Sequence, residues 1–105
     1  MTERRNALMF KPNCQVTLFR RSVLPDGSSA CDGGELFDGF FMEHYRTCAN
    51  GSSEDLSELL LGAQAAPAPG DEVEIEGLRR NIARVRSCTD LRGKVRCYRC
   101  SFLRE

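Results

Sequence analysis

The spacing of apolar residues through the middle of the chain constrains its fold more than any other feature of the sequence. Within residues 34–51, four apolar side chains follow each other at intervals of four, four and three: Phe37, Phe41, Tyr45 and Cys48. Apolar residues that recur every three or four positions are typical of one face of an amphipathic helix. We therefore predict a helix here, with Asp32 as its N-cap and Asn50-Gly51 at its C-terminal end.

A second helix is predicted for residues 52–64. Ser52 or Ser53 is a candidate N-cap, and acidic residues follow in the first turn, where the helix dipole favours negative charge. The apolar face of this helix consists of three leucines: Leu56, Leu59 and Leu60. Their spacing is that of a helix packed against a core on one side.

A third helical pattern covers residues 71–89, with Asp71 as a candidate N-cap. Its face steps by three and four residues through Ile75, Leu78, Ile82, Val85 and Thr89. Acidic residues come first and arginines last, which suits a helix dipole. Gly77 and the strand-like residues 72–76 support an alternative, in which a strand precedes a shorter helix.

The segment 14–24 has the alternation of a strand instead. Val16 and Leu18 are separated by polar residues, and the turn-forming residues 25–27 follow. Residues 7–11 are a candidate partner strand for a hairpin.

Together these patterns predict an α+β fold. We expect a single small domain over residues 1–105, with a short N-terminal β-hairpin, two to three helices and a C-terminal segment rich in cysteine. The Pro/Ala-rich residues 65–70 are expected to be an internal joint, since six residues are too few to separate two domains.

The cysteines and the N-terminal residues indicate the compartment. The first 15 residues lack the apolar region of a secretory signal, so we expect an intracellular protein of the cytosol or nucleus, with the mitochondrion as an alternative. In a reducing compartment, cysteines tend to be core residues, metal ligands or catalytic groups.

The C-terminal cysteines suggest a metal site. Cys97 and Cys100 have the spacing that lets two thiolates in a tight turn bind one tetrahedral zinc ion. His44 and Cys48, four residues apart on a predicted helix, would complete one Cys3His site, and Cys88 with Cys14 or Cys31 would complete another. A structural zinc ion is therefore the expected cofactor.

Other chemistry has less support in the sequence. A thiol redox function needs a helix after the Cys97–Cys100 pair, and only five residues follow. His44 is the one histidine, and it is expected to line an apolar face with Cys48 rather than to activate a nucleophile. We therefore expect no enzymatic activity and no small-molecule substrate.

Charge is distributed in three blocks although the net charge is zero. Residues 23–76 carry twelve acidic residues and one basic residue, whereas residues 77–105 carry nine basic residues and two acidic ones. Eight of these basic residues are candidates for contacts with RNA or DNA: Arg79, Arg80, Arg84, Arg86, Arg92, Lys94, Arg96 and Arg99. Tyr98 and Phe102 between them are candidate stacking platforms. Alternatively, the basic block neutralises the acidic one within the fold.

We expect the chain to be a non-enzymatic structural or adaptor subunit of a larger intracellular assembly, stabilised by zinc. Three predicted apolar faces in so small a chain favour burial against partner proteins. No segment has the length of a membrane span. A nucleic-acid-binding module is the alternative, and a thiol redox protein is the third hypothesis.

Overall fold

The computed structural model describes residues 10–103, and this part of the chain consists almost entirely of β-strands. The strands are β1 Cys14–Val23, β2 Ser29–Met42, β3 Tyr45–Thr47, β4 Ser53–Asp55, β5 Glu58–Gly62, β6 Glu72–Ile75, β7 Leu78–Thr89 and β8 Val95–Phe102. One 3-10 turn, Ala63–Ala65, follows β5.

Six strands close into a barrel in the order β1-β2-β5-β8-β7-β6, and β6 pairs back onto β1. All six pairings are antiparallel. The two remaining strands, β3 and β4, form a small hairpin between β2 and β5 in the chain. Because the barrel strands differ in length, the closed sheet still leaves parts of its longer strands without a neighbour on one side.

The predicted α+β fold with two to three helices is wrong, since the described residues contain no helix beyond the 3-10 turn. Residues 34–51 belong to β2 and β3, residues 52–64 to β4 and β5 and the turn after it, and residues 71–89 to β6 and β7. A step of four residues returns a side chain to the same face of a strand as well as of a helix. Phe37 and Phe41 therefore fit both structures, and their spacing could not separate them.

The strand predicted for residues 14–24 is confirmed as β1, and residues 25–27 turn the chain into β2. Of the expected partner at 7–11, residues 7–9 lie outside the described residues, and residues 10 and 11 do not belong to a strand. For residues 72–76 the alternative was right about the strand, which is β6, and wrong about the helix that was expected to follow.

Three hairpins use the same three-residue loop, which ends in a glycine with positive φ: Gly27 at 91°, Gly51 at 87° and Gly93 at 84°. In each loop the glycine N–H donates to the carbonyl three residues earlier, at 2.9 to 3.0 Å. A turn followed by a left-handed residue is a common hairpin connection, and glycine adopts that conformation without strain. Asn50-Gly51, predicted to end a helix, therefore closes the β3–β4 hairpin instead.

The β6–β7 hairpin has a tighter, two-residue loop. Glu76 and Gly77 have φ angles of 53° and 82°, and the residues on either side of them, Ile75 and Leu78, are paired. Positive φ at both loop residues matches the right-handed twist of the two strands. This loop places β6 and β7 side by side. The region predicted as a helix is therefore a hairpin of two strands.

The barrel interior is filled by residues that alternate along the short strands. The buried core consists of Val16, Leu18, Leu59, Leu61, Ala65, Val73, Ile75, Ile82 and Cys100. Within β1, β5 and β6 the core residues are two positions apart, because successive side chains of a strand point to opposite faces. The residues at the alternate positions of each strand therefore face outward and can carry charge.

Asp71 ties the closing strand of the barrel to both of its neighbours. Its side chain is buried, at 4% exposure, and its two oxygens accept hydrogen bonds from the backbone N–H groups of Arg21 and Ala68, both at 2.9 Å. Its backbone carbonyl accepts a further bond of 2.9 Å from the N–H of Ile82. Asp71 was predicted to cap a helix, but it connects β1, β6 and β7.

Replacement of Asp71 by alanine should destabilise the fold by roughly 1.5 to 3 kcal/mol, since two partly buried hydrogen bonds to a charged acceptor would be lost. Asp71→Asn, which keeps one acceptor oxygen, should cost less. Asp32→Ala is a matched control, because Asp32 is exposed on β2, and its effect should stay within about 0.5 kcal/mol. Urea unfolding of the three variants measures these differences, and equal effects of Asp71→Ala and Asp32→Ala would contradict the proposed role.

Candidate binding surface

One edge of β7 is partly unpaired. β7 pairs with β8 as far as Thr89, but on its other side it pairs with β6 only as far as Asn81. The backbone of Asp71 extends that contact by one residue, to Ile82. Among the described residues, none pairs with the remaining edge at residues 83–89. Such an edge presents backbone donors and acceptors on which another strand can be added.

Exposed basic side chains lie along this edge and at the tip of the hairpin. Four of them form no ion pair with any residue in the range 10–103: Arg84, Arg86, Arg92 and Lys94. Arg84 and Arg86 face outward, since Val85 between them packs against the core. Leu91 is fully exposed in the turn beside Arg92. We call these five residues, with the free edge at 83–89, the β7 surface.

The other four candidate basic residues have acidic partners. The ion pairs are Arg79 with Glu72 at 3.3 Å, Arg80 with Asp55 at 3.0 Å, Arg96 with Asp90 at 4.0 Å and Arg99 with Glu58 at 3.3 Å. Three of these acids belong to the acidic block 23–76. Pairing with the acidic block is therefore observed for three of the eight predicted residues, and Arg96 pairs within the basic block itself. The four residues without an ion pair among the described residues belong to the β7 surface.

Arg86 lies directly opposite Arg99 across the β7–β8 pair. Like charges at directly opposed positions destabilise a sheet, by an amount comparable to the roughly 0.2 to 1 kcal/mol that favourable pairs contribute. Glu58 offsets the charge of Arg99, whereas Arg86 has no acidic partner among the described residues. The position of Arg86 is thus unfavourable for the stability of the isolated chain, which points to a role in binding.

The two aromatic residues between the arginines are not on the outer face. Tyr98 lies opposite Leu61, a core residue, and opposed residues of an antiparallel pair share a face. Phe102 packs against the core and contacts Phe41, with ring centroids 6.4 Å apart. Neither ring is therefore placed as a stacking platform beside Arg84 and Arg86.

A separate cleft of about 770 Å³ lies between the β3–β4 hairpin and the barrel. Arg80, the most buried of the paired arginines with a side chain 15% exposed, lines it and stacks on Phe41 and Phe102 at 5.0 and 5.4 Å from the ring centroids. Hydrogen bonds from Ser57 and Arg80 outweigh burial and lower the pKa of Asp55. The charge of Arg80 is thus used to hold the hairpin against the barrel.

Cys97 and Cys100 do not form the tight turn expected of a metal-binding pair. They lie three residues apart on the straight strand β8, so their side chains leave opposite faces. Cys100 is in the core, and burial raises its pKa to about 12. Cys97 is on the outer side but only 6% exposed, and burial together with the neighbouring Cys88 raises its pKa to about 11.

Cys88 is brought to Cys97 by strand pairing. The two residues lie directly opposite each other on β7 and β8, and Cys88 is exposed. Sequence spacing alone could not pair them, because the partner of Cys88 depends on the register of the hairpin. The three-residue loop ending in Gly93 starts the pairing at Thr89 and Val95, and an irregularity between Cys88 and Thr89 then shifts the register by one residue and brings Cys97 opposite Cys88.

The remaining predicted ligands lie elsewhere. His44 is exposed just before β3, and Cys48 is half-buried at the cleft. The thiol of Cys14 donates to the carbonyl of Gly39 on β2 at 3.5 Å, and that of Cys31 donates to the carbonyl of Gly70 in the turn before β6 at 3.4 Å. Among residues 10–103, no three His, Cys, Asp or Glu side chains are grouped closely enough to hold a metal ion. Zinc binding stays a prediction.

Comparison with known proteins gives no family for this chain. No protein-family model matches it, and no curated protein is significantly similar to it. Within residues 10–103, no helix has the length and apolar character needed to cross a membrane. The function of the β7 surface must therefore be inferred from its own geometry.

The free edge and Leu91 were missed by the sequence analysis. The signal that could have found them is the turn residue Gly93 between two short segments of similar length that contain strand-forming residues, 82–87 and 95–100. That pattern is typical of a hairpin with a three-residue loop. Residues 82–87 were instead assigned to the helix predicted over residues 71–89.

The environments of the cysteines predict their order of alkylation. With iodoacetamide at about pH 8, Cys88 should react first because it is exposed. Cys100 should react only on unfolding, because the thiolate is the reactive form and its pKa is raised to about 12. The rate at Cys97 should rise with pH until the pH approaches about 11. Mass spectrometry of digested protein measures the order, and equally fast labelling of Cys88 and Cys100 in folded protein would contradict it.

Proposed function

We propose that this chain is a non-enzymatic protein-binding module, a subunit or adaptor of a larger intracellular assembly, which binds its partner through the β7 surface. The proposal rests on two neighbouring features that each lack a partner. Residues 83–89 have an unpaired backbone edge, and Arg84 and Arg86 beside it have no acidic partner among residues 10–103. A single ligand could satisfy both.

The partner that fits these features is an extended acidic segment of another protein. An added strand would pair with the backbone of 83–89, which supplies affinity independently of side chains. Carboxylates on that strand would meet the guanidinium groups of Arg84 and Arg86, whose planar donors suit bidentate contacts. Leu91, which is fully exposed, would bury apolar area at the end of the same hairpin.

The same arginines could instead protect the edge from self-association, since charged side chains on edge strands prevent aggregation. The two roles differ in the effect of changing one charge. A protective role predicts that loss of Arg84 or Arg86 leads to aggregation. A binding role predicts a soluble protein that has lost affinity for the acidic segment.

Nucleic acid is the less favoured partner. The cations of the β7 surface would attract phosphates, but Tyr98 and Phe102 face the interior rather than the arginines. Four of the eight candidate basic residues are also neutralised by acids of the same chain. A backbone edge adds affinity for a peptide strand and none for a phosphate chain.

The proposal is tested with a ten-residue peptide of alternating glutamate and valine. Binding at low salt should shift the amide NMR signals of residues 83–89, and Arg86→Glu should weaken it roughly tenfold, which corresponds to about 1.4 kcal/mol. Arg86→Glu should leave the fold intact, since it places a glutamate opposite Arg99. Lys11→Glu, an equal charge change at an exposed residue away from the hairpin, should leave the affinity within about twofold.

Two control ligands separate the alternatives. A peptide of the same sequence with every backbone amide N-methylated cannot donate the backbone hydrogen bonds of an added strand, and it should not bind. Binding of single-stranded RNA or duplex DNA with a steep salt dependence, in the absence of peptide binding, would replace the proposal by the nucleic-acid alternative. Signal shifts away from 83–89, or aggregation of the Arg86→Glu protein, would also contradict it.

A further inference from the structure

Cys88 and Cys97 form a pair of thiols that the fold holds at disulfide-forming positions. They are directly opposed on antiparallel strands, where Cα atoms lie about 4.5 to 5.5 Å apart. A disulfide needs a Cα separation of about 4.4 to 6.8 Å. The pairing of Cys88 with Cys97 therefore meets the separation that a disulfide requires. Cys97 and Cys100 cannot bond in this way, since their side chains leave opposite faces of β8.

The two thiols differ in access. Cys88 is exposed, whereas Cys97 is 6% exposed. A reagent from solution therefore reacts with Cys88 first. Cys97 is then close enough to attack the Cys88 sulfur and displace the bound reagent. This asymmetry is the arrangement of an attacking and a resolving cysteine.

Two guanidinium groups flank the pair on the same face. Arg86 lies two residues before Cys88 on β7, and Arg99 lies two residues after Cys97 on β8, so all four side chains leave one face of the sheet. Glu58 offsets the charge of Arg99. Arg86 has no ion-pair partner among the described residues, and its charge would attract an anionic reagent to this face.

We propose that Cys88 and Cys97 are a reversible dithiol–disulfide site, whose oxidant is an anionic low-molecular-weight disulfide such as glutathione disulfide. The proposal does not depend on the protein-binding role of the β7 surface. It assigns a chemical function to the outer face of the hairpin, next to the free edge.

The reaction proceeds in two balanced steps. Cys88 first gives its proton to solvent, and its thiolate attacks one sulfur of glutathione disulfide. The disulfide bond of the oxidant breaks as a mixed disulfide forms, and the first glutathione leaves as a thiolate, which takes up a proton. Cys97 then gives its proton to solvent, and its sulfur attacks the Cys88 sulfur. The Cys88–Cys97 bond forms as the mixed disulfide breaks, and the second glutathione leaves and takes up a proton. The protein loses two electrons and two protons, and the oxidant is reduced to two thiols.

The test uses the folded chain treated with glutathione disulfide at low salt. Intact-mass measurement should show loss of two hydrogen atoms without retained glutathione, peptide mapping should join Cys88 to Cys97, and dithiothreitol should reverse the change. Cys97→Ser should instead accumulate one bound glutathione on Cys88. Cys88→Ser should resist oxidation, and Cys48→Ser, which changes a half-buried cysteine at the cleft, should behave as the unmodified chain.

The charge requirement is tested by a comparison of oxidants. Anionic glutathione disulfide should react several-fold faster than neutral hydroxyethyl disulfide at low salt, relative to their rates with a free thiol. Arg86→Glu should remove this preference, and Lys11→Glu should keep it. Equal relative rates in the unmodified chain would overturn the choice of an anionic oxidant.

Three results would overturn the site itself. They are a mapped bond other than Cys88–Cys97, a mixed disulfide on Cys88 that never closes in the unmodified chain, and stoichiometric zinc in freshly reduced protein that is lost in Cys88→Ser. The last result would assign the pair to a metal site. Failure of peptide binding to the β7 surface would leave the disulfide site intact, so the two proposals fail separately.

Discussion

The closure of the barrel depends on β6, a strand of four residues that pairs with β1 on one side and β7 on the other. Asp71 secures this closure, because its buried carboxylate accepts two backbone N–H groups and its carbonyl accepts a third. β1 and β7 have ten and twelve residues, respectively. A strand as short as β6 can pair with only part of β1 and part of β7. The strand that closes the barrel therefore also leaves residues 83–89 of β7 unpaired.

The chemistry of the outer face depends on the alternation of side chains along β7 and β8. Val85 and Cys100 contact the core, so the residues next to them in each strand point outward. Ile82, three residues before Val85, is also buried, and a register irregularity lies between Ile82 and Arg84. The loop ending in Gly93, together with the register irregularity between Cys88 and Thr89, opposes Arg86 to Arg99 and Cys88 to Cys97. A shift by one residue would turn each of these side chains to the other face. The binding surface and the thiol pair thus share one determinant, the register of a single hairpin.

The sequence was sufficient to predict the strand at 14–24, its following turn and the strand-like character of 72–76. It was misleading for Phe37 and Phe41, because a spacing of four belongs to a strand and to a helix alike. The cysteine pattern directed attention to Cys88 and Cys97 among the candidate ligands, but the two-residue gap suggested Cys100 as the partner of Cys97. Which residues face each other depends on the pairing of distant strands, and short-range spacing carries no information on it. The charge blocks in the sequence were sufficient to predict that some arginines would be neutralised by the acidic block, as Arg79, Arg80 and Arg99 are. They could not show which arginines would lack an acidic partner.

Amide hydrogen exchange along β7 tests most directly whether the barrel closes while leaving this edge free. Amides that bond to β8 should exchange slowly between Ile82 and Thr89, and the alternate amides, which face the unpaired edge, should exchange quickly. The amides of Gly70 and Ile82, which bond across the closure at 2.9 Å, should be among the protected ones. Uniform protection from 82 to 89 would contradict a free edge, since it would mean that the edge is already covered. Rapid exchange at Gly70 and Ile82 would mean that the barrel is open.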